Sequence, residues 1–468
     1  MSHAGGASHS GTPWSFGRLR LTNRLSLFGV VKGNRNRVPL SRFYMTKKVK
    51  GIFLIAIATL IVLSCKDKSS PVPPPVITGF FPNSGISGST VSVIGNNFMP
   101  QLPPPAAILT TTNTIKFNGT PAVISMIIQV QADEQRINTI VPVGATSGKV
   151  TVTVNGNTVT SPGDFIVTTP AYVSNVTVTT LADNTNFDTP RGVAVDAAGN
   201  VYVADVDRSK ISKITPGGAV TTFAPANASF GVAVDAAGNV YVSDGSSHRI
   251  LKITPNGTAG TLAGSNQGYA DGPGTTAQFN LPWGVAVDAA GIVYVADALN
   301  NRIRKIAPDG TVSTLAGSTQ GFADGQGANG LFNLPTGIAV DASGNVYVTD
   351  NGNYKIRKIS GSGNVTTVAG STVGYADGSA ATAQFYSPYG VALDVNGNIY
   401  IGDDANNVIR KITPDGNVTT VAGSIYGYAD GQGANAKFGN VKGVAVDAGG
   451  IIYAADSGNG RIRKVVIK

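Results

Sequence analysis

The chain has 468 residues, enough for two or three domains, with 59 glycines, 25 prolines and only 13% charged residues. Its net charge of +9 suggests a nucleic-acid partner, but residues 1–64 hold ten basic residues and no acidic one. The chain beyond Ser64 contains the other 25 basic residues and all 26 acidic ones, so its net charge is near −1. Because nucleic-acid binding needs a basic surface that neutralises phosphates, we exclude a nucleic-acid partner.

The first predicted element is a secretory leader. Three lysines after Met45 precede an apolar run over residues 52–63. This run is too short to span a bilayer, which takes roughly 20 residues, and it is typical of a signal peptide. The run ends in Val-Leu-Ser-Cys at Cys65, which resembles a bacterial lipobox. The resemblance implies that Cys65 becomes the acylated N-terminus. An ordinary signal peptide with a chance cysteine is the alternative.

These features predict a mature chain that lipid anchors to a membrane without spanning it. Residues 1–44 are predicted to be a disordered upstream extension, residues 45–64 the lipoprotein signal peptide and residues 65–75 a stiff tether. Lys66-Asp67 resembles the short charged tags that send some bacterial lipoproteins to the cell surface. We therefore expect the protein in the bacterial cell envelope, at the outer membrane or cell surface.

Residues 76–168 form the next predicted domain. The segments after Val76, around Val93 and from Gly148 to Val154 alternate apolar and polar residues with period two, as half-buried sandwich strands do. The ordered motifs resemble an IPT/TIG domain, which implies an immunoglobulin-like sandwich. We interpret this domain as a spacer, and direct contact with a ligand is the alternative.

Six repeated units follow the sandwich. Each has four strand-length segments separated by turn residues, as in the unit from Gly284 to Gly317. Successive marker glycines are 39, 53, 53, 53 and 53 residues apart, and four strands with a period near 40–50 residues predict propeller blades. The marker glycines are Gly192, Gly231, Gly284, Gly337, Gly390 and Gly443.

The ends of the repeat region predict how the ring closes. The sixth unit stops after its third strand, whereas residues 175–182 have the pattern of a fourth strand without a blade of its own. Pairing the two completes six blades and leaves no open strand edge, which would be an aggregation hazard. The predicted fold is all-β, with the sandwich followed by a six-bladed β-propeller over residues 172–468.

The blade motif, Gly-Val-Ala-Val-Asp, Gly-Asn-Val-Tyr-Val-Ala-Asp and Asn-Arg-Ile-Arg-Lys-Ile, resembles the NHL repeat. The resemblance covers residues 172–468 six times over. It implies a propeller of a kind that includes adhesion, scaffold and sensor modules. Related six-bladed propellers include lactonases and amidating lyases.

The residue types of the propeller argue against catalysis. It contains one histidine, His248, and no glutamate, since the chain's only glutamate is Glu134 in the sandwich. A zinc site needs about three protein ligands, and acid–base chemistry needs a tuned titratable group. We therefore predict no enzymatic activity and no cofactor, while a calcium site built from Asp and Asn oxygens stays chemically open. We expect His248 to be a solvated loop residue.

Two repeated patterns have a structural interpretation. Aspartates close the first and second strands of every unit, and because one axial ligand cannot need six copies, we interpret them as turn residues. Four long connections carry an aromatic residue before Ala-Asp-Gly and end in Phe, and we expect these aromatics to pack each loop onto its neighbour. A ring of sugar-stacking aromatics is the alternative. The connections run over residues 269–279, 322–332, 375–385 and 428–438.

The informative positions are those that vary inside the repeat. The residue before each marker glycine lies where the chain enters the inner strand, at the mouth of the axial channel. Three aromatics, two cations and a hydroxyl around one opening would suit a carbohydrate or peptide, and drift at exposed sites is the alternative. The six predicted ligand-binding residues are Arg191, Phe230, Trp283, Thr336, Tyr389 and Lys442.

The sequence thus favours a monomeric, membrane-anchored binding or adhesion protein of the cell envelope, whose propeller recognises a glycan or an envelope protein. Two alternatives remain: a propeller hydrolase or lyase of the lactonase kind, and a purely structural envelope scaffold. Three or more convergent Asp or Asn oxygens on the axis would favour the enzyme. A shallow mouth lined by aromatic residues would favour binding.

Overall fold

The computed structural model of the protein describes residues 73–99, 113–131, 134–227 and 229–468. The predicted extension 1–44, the signal peptide 45–64, Cys65 and most of the tether lie outside the described residues. The described part of the chain contains no helix with the length and apolar character that a membrane crossing needs.

Alternating side chains build the sandwich. In the strand Gly148–Val154, Val150, Val152 and Val154 are buried and the intervening polar residues are more exposed. Sheets of four and five strands enclose a core that includes Phe117. Neighbouring strands are antiparallel except for one short parallel pair. The strands described here are Val76–Phe81, Ser84–Gly85, Thr90–Asn96, Thr114–Phe117, Thr120–Ala122, Ile124–Gln131, Glu134–Ile140, Gly148–Val154 and Asn157–Val167.

Each repeated unit forms an antiparallel blade, so the all-β fold of a sandwich and a six-bladed propeller is confirmed. Blades one to three contain Pro190–Val195, Val201–Asp205, Lys210–Ile214 and Val220–Pro225; Ser229–Val234, Val240–Asp244, Arg249–Ile253 and Ala259–Ala263; and Pro282–Val287, Val293–Asp297, Arg302–Ile306 and Val312–Gly317. Blades four to six contain Pro335–Val340, Val346–Asp350, Lys355–Ile359 and Asn364–Ala369; Pro388–Leu393, Ile399–Asp403, Val408–Ile412 and Asn417–Gly423; and Val441–Val446, Ile452–Asp456, Arg461–Ile467 and Val176–Ala182.

The sixth blade takes its outer strand from the start of the propeller. Val176–Ala182 pairs antiparallel with Arg461–Ile467, from Val176 opposite Ile467 to Ala182 opposite Ile462. This is the pairing that the strand count predicts. The first strands of neighbouring blades contact each other around the axis, and that of blade six contacts that of blade one. The ring is therefore closed.

The core of the propeller lies between its blades. Each hydrophobic cluster of the ring combines residues of two neighbouring units, as Tyr202 of the first and Val240 of the second do. The second strand is covered on both faces, so all five residues of Val201–Asp205 are buried. This explains why second strands read Val-Tyr-Val-Ala-Asp rather than alternating apolar and polar residues.

Short elements complete the blades. The long connections before blades four to six add two-residue strands to the outer edge of the blade that follows. Single 3-10 turns follow the second strands of blades two to six, and one more lies in a long connection. The two-residue strands are Gly325–Gln326, Gly378–Ser379 and Gly431–Gln432, and the turns are Gly245–Ser247, Ala298–Asn300, Gly327–Asn329, Asn351–Asn353, Asp404–Asn406 and Ser457–Asn459.

The sandwich packs against the connection that precedes blade five. The backbone N–H of Tyr375 donates to the Ser84 hydroxyl at 3.2 Å, and Ile86 packs with Tyr375 and Val408. The rings of Phe81 and Tyr386 meet edge to face at 5.5 Å. Both domains belong to one compact unit.

Candidate functional site

The marker glycines determine the geometry of the mouth. A Cβ atom on Gly192 would lie 2.8 Å from the carbonyl oxygen of Phe230, and one on Gly390 would lie 2.6 Å from that of Lys442. The other four marker glycines meet the next blade's carbonyl in the same way. A side chain at these positions would push the inner strands apart, so glycine lets six backbones converge and holds the preceding residues around the axis.

Five of the six predicted residues line one cavity of about 60 Å³: Arg191, Phe230, Trp283, Thr336 and Tyr389. Beyond the glycines the lining is aliphatic, with one branched residue from each first strand: Val193, Val232, Val285, Ile338, Val391 and Val444. Ligand pockets usually measure roughly 300–1,000 Å³. The cavity therefore accommodates one small chemical group, and a larger ligand has to lie across the mouth.

The large side chains at the mouth form a continuous row. The Arg191 guanidinium lies 4.8 Å from the ring centroid of Phe230, whose ring is 5.9 Å from that of Trp283. Trp283 stacks on Tyr389 at 5.6 Å with an angle of 30° between the planes. The Lys442 Nζ lies 4.5 Å from the Tyr389 centroid. The row is thus three aromatic rings with a cation at each end, an arrangement suited to stacking and cation–π contacts.

Two of the predicted residues have roles that the sequence did not indicate. Lys442 is absent from the cavity lining and forms an ion pair with Asp404 at 2.5 Å. Thr336 is only 1% exposed, and its hydroxyl is hydrogen-bonded to the Thr349 hydroxyl at 2.9 Å and to the Tyr389 carbonyl at 3.1 Å. The Thr336 hydroxyl is therefore not available to a ligand, because it is already hydrogen-bonded within the propeller.

Several buried polar atoms around the mouth have no hydrogen-bond partner among the described residues. They are Trp283 Nε1, Tyr389 Oη, Asp404 Oδ1 and Arg191 Nε. The Nε atoms of four arginines in the blade strands are also unpartnered among the described residues, so this atom of Arg191 carries no weight alone. An unpartnered buried donor or acceptor costs roughly 1–3 kcal/mol, and native structures contain few. The other three atoms are therefore candidates for ligand contacts.

Tyr389 is a neutral hydroxyl at physiological pH. Burial raises its pKa to about 12, while the nearby positive charge of Arg191 opposes this rise. The Arg191 guanidinium lies beside Oη and also lowers this pKa by interacting with the hydroxyl, but the two groups do not reach the geometry of a full hydrogen bond. Tyr389 can therefore donate a hydrogen bond to an acceptor on a ligand.

The aspartates that close the first strands are turn residues. Asp288 accepts the N–H groups of Ala290 and Ile292 at 2.9 Å and the hydroxyl of Tyr294 at 3.1 Å. These bonds bear out the turn interpretation. The same pattern recurs at Asp196, Asp235, Asp341, Asp394 and Asp447.

The aspartates that close the second strands take part in buried ion pairs. Arg304 is 0% exposed and joins Asp297 at 2.7 Å to Asp271 of the long connection at 2.5 Å. Its guanidinium also donates to the carbonyls of Gln278 and Ala270. Each such arginine fastens a long connection to its blade. The equivalent trios are Arg357 with Asp350 and Asp324, Arg410 with Asp403 and Asp377, and Arg463 with Asp456 and Asp430.

The aromatics of the long connections pack on these arginines. The Tyr269 ring lies 4.9 Å from the Arg304 guanidinium and 3.9 Å from that of Arg302, and none of the four aromatics lines the axial cavity. Tyr375 is 1% exposed beneath the sandwich, whereas Tyr269 is 46% exposed. The packing interpretation is right, but the partner is the arginine of the following blade rather than a neighbouring loop.

His248 is a turn residue rather than a solvated one. Its Nδ1 accepts the N–H of Leu281 at 3.1 Å. Asn301 and Asn407, at equivalent positions, accept the N–H groups of Leu334 and Asn440. All three have left-handed backbones, with φ near 55°.

Sequence reasoning missed the buried arginines and Asp404, although both left signals. Units that follow a long connection have arginine in the third strand, whereas the two others have Ser212 and Leu251 there. Asp404 occupies a position that differs in every unit, as the mouth residues do. Among the described residues there is no group of three or more His, Cys, Asp or Glu side chains that could hold a metal ion.

The strands and sheets define an all-β protein with a sandwich followed by a six-bladed propeller, and the six inner strands of the propeller surround the mouth. The family model for the IPT/TIG domain matches residues 75–167, and that for the NHL repeat matches residues 187–214, 279–306 and 332–359. The chain therefore carries an IPT/TIG domain followed by NHL repeats.

Curated relatives match part of the chain. The chain is 32% identical over 150 residues to Protein SUPPRESSOR OF QUENCHING 1, chloroplastic, of Arabidopsis thaliana, covering 29% of this chain and 14% of the plant protein. It is 30% identical over 224 residues to human Teneurin-4, covering 41% of this chain and 8% of the teneurin. The chain thus spans a small part of these relatives.

Solved structures resemble the chain over both domains. A structural genomics protein of unknown function from Bacteroides thetaiotaomicron has a TM-score of 0.52 at 20% identity, covering 86% of this chain and all of that one. An auxiliary nutrient binding protein from the same organism has a TM-score of 0.51 at 16% identity, covering 85% of this chain and 98% of that one. At these low sequence identities the likeness shows a shared fold and nothing more.

Proposed function

We propose that the protein is a binding or adhesion protein of the bacterial cell envelope, whose propeller mouth recognises a glycan or an envelope protein. The observation that carries this proposal is the row of Phe230, Trp283 and Tyr389 between two cations. Aromatic faces stack on sugar rings and on apolar side chains, and nearby polar groups orient such ligands. The repeated aspartates and arginines of the blades form the turns and ion pairs that stabilise the fold. The mouth residues vary between blades, so they are the better candidates for ligand recognition.

The proposal includes a lipid anchor at Cys65, with the IPT/TIG domain as a spacer. The apolar run over residues 52–63 and the lipobox-like ending support the anchor. Solved proteins of similar fold are described as auxiliary nutrient binding proteins of Bacteroides species, which is compatible with this location. No sandwich residue belongs to the cavity lining, so the docked spacer contributes nothing to that part of the mouth.

The composition of the cavity supports binding over catalysis. Its lining contains no aspartate, glutamate, histidine or asparagine. Asp404, which lies beside the cavity and outside its lining, is paired with Lys442. General acid–base chemistry most often uses a histidine or a carboxylate within reach of the reacting atoms, and burial keeps the lining residue Tyr389 neutral by raising its pKa to about 12. We therefore propose a non-enzymatic receptor without a cofactor. The charge near −1 beyond Ser64 supports the further proposal that it has no nucleic-acid partner, and we also propose that the chain is a monomer.

A glycan array probed with the full chain, combined with pull-down from envelope extracts, tests this function. Trp283→Ala and Phe230→Ala should each lose most binding, because either change interrupts the stacking surface. Tyr426→Ala is the matched control, since Tyr426 is 60% exposed and is absent from the cavity lining. Ligands that bind both mouth variants as well as the unmodified chain would refute the mouth as the binding site.

A further inference from the structure

The mouth has one unmatched positive charge. Lys442 is neutralised by Asp404 at 2.5 Å, whereas Arg191 forms no ion pair with any described residue. Arg191 instead stacks on Phe230 and lines the cavity. A partly buried guanidinium without a carboxylate partner favours an anionic group, because its fork of donors matches two carboxylate oxygens.

Further donors border the same cavity. Trp283 Nε1 and the Tyr389 hydroxyl are buried donors without a partner, and Tyr389 is only 8% exposed. A carboxylate has several acceptor positions and suits such donors together with Arg191. The cavity, at about 60 Å³, admits a group of this size but not a sugar ring.

Asp404, which is absent from the cavity lining but lies near Tyr389 and pairs with Lys442, offers an acceptor beside the mouth. Asp404 is 6% exposed, and its Oδ1 has no partner among the described residues, although Oδ2 receives Lys442. A ligand that satisfies every group must therefore carry a hydroxyl donor beside its carboxylate. Sugar acids combine these two groups with an apolar ring face that stacks on aromatic side chains.

We propose that the mouth recognises uronic acid residues of an acidic glycan, with the carboxylate at Arg191 and the ring on the aromatic row. This inference rests on the proposed binding function. The unpartnered atoms are shielded from solvent while the rings are packed together, so Trp283 and Tyr389 turn apart when the ligand enters. The cost of leaving those atoms unpaired favours this opening.

Trp283 is a convenient reporter. The chain has two tryptophans, Trp14 and Trp283, so a Trp14→Phe full-length chain reports the mouth alone. We would titrate it with trigalacturonate, with galactotriose as the neutral counterpart and with an aspartate-rich hexapeptide. Calorimetry on the same samples would detect binding that leaves the fluorescence unchanged.

The expected result is a saturable change in Trp283 emission with trigalacturonate, at an affinity at least tenfold above that for galactotriose. Arg191→Gln should reduce this affinity at least tenfold, and Tyr389→Phe should reduce it about threefold or more. Arg302→Gln is the matched control, because Arg302 also stacks on an aromatic ring without an ion pair but is absent from the cavity lining. It should leave the affinity unchanged, and thermal melts would verify that each variant folds.

Other outcomes overturn the inference in distinguishable ways. Equal binding of galactotriose and trigalacturonate, still dependent on Trp283, would refute the carboxylate and leave the proposed function standing. Preference for the peptide would replace the glycan by a protein ligand. Calorimetric binding without a response of Trp283 would place the ligand elsewhere. The absence of mouth-dependent binding in this titration, on the glycan array and in the envelope pull-down would refute both the inference and the function.

Discussion

Arginines in the blades and at the mouth illustrate two uses of one residue type. Arg304 is fully buried and bonded to two carboxylates and two carbonyl oxygens. Arg191 lines a cavity, stacks on a ring and has no described carboxylate partner. The difference teaches that the fold satisfies the charge of a fully buried blade arginine, whereas the charge of Arg191 at the mouth has no described carboxylate partner.

Tyrosines show the same contrast. Tyr294 and Tyr389 are both buried, and burial raises the pKa of each to about 12. The Tyr294 hydroxyl donates to Asp288 at 3.1 Å, whereas the Tyr389 hydroxyl has no described partner. The position of a residue in the propeller, rather than its type, therefore distinguishes structural residues from candidate ligand contacts.

Replacing a buried arginine should cause the largest loss in the free energy of unfolding. Arg357→Met leaves the carboxylate of Asp350 buried without its cation, and breaking a buried pair in this way costs about 3–5 kcal/mol. The free energy of unfolding, measured by chemical denaturation, should fall by that amount. Arg191→Met is the matched control and should change stability by less than about 1 kcal/mol. Similar losses in both variants would erase the contrast.

Adding a side chain between the inner strands should cause the next largest loss of stability. A Cβ atom on Gly337 would collide with the Tyr389 carbonyl and lie 2.8 Å from the Thr349 hydroxyl. Gly337→Ala should therefore destabilise the chain by at least about 1–3 kcal/mol. In Gly260→Ala the new Cβ meets nothing within 4 Å, so its unfolding midpoint should hardly change. A neutral Gly337→Ala would show that the inner strands are less tightly packed.

His248 provides a smaller test. His248→Ala removes the acceptor of the Leu281 N–H and places alanine at a positive φ, so a loss of about 1–2 kcal/mol is expected. His248→Asn should retain stability, because asparagine does the same work at position 301. Thermal melts of the two variants measure the difference. If asparagine failed to substitute, the histidine would have a role that the turn does not explain.

The fold was predictable because its signals are local and repeated. The spacing of Gly284 and its equivalents predicted the blades, and the unpaired pattern at residues 175–182 predicted the partner of Arg461–Ile467. The buried ion pair of Arg304 with Asp271 was not predicted, because the two residues are 33 positions apart and meet only when the long connection lies along its blade.

The mouth was predictable only in part. Variation before the marker glycines identified the row from Arg191 to Tyr389, but sequence could not show that the blade occupies the Thr336 hydroxyl. Nor could it show that Lys442 turns to Asp404, because the two residues belong to different blades. Such pairings depend on the stagger between neighbouring first and second strands.

The most direct test of the account compares two tyrosine hydroxyls. Tyr294→Phe removes a hydroxyl bonded to Asp288, and Tyr389→Phe removes one that has no described partner. Thermal denaturation of the two full-length variants measures both. The account predicts that Tyr294→Phe loses about 1 kcal/mol, whereas Tyr389→Phe is unchanged or slightly more stable, because no bond is lost. An equal loss in Tyr389→Phe would contradict it, since the hydroxyl at the mouth would then serve the fold and not a ligand.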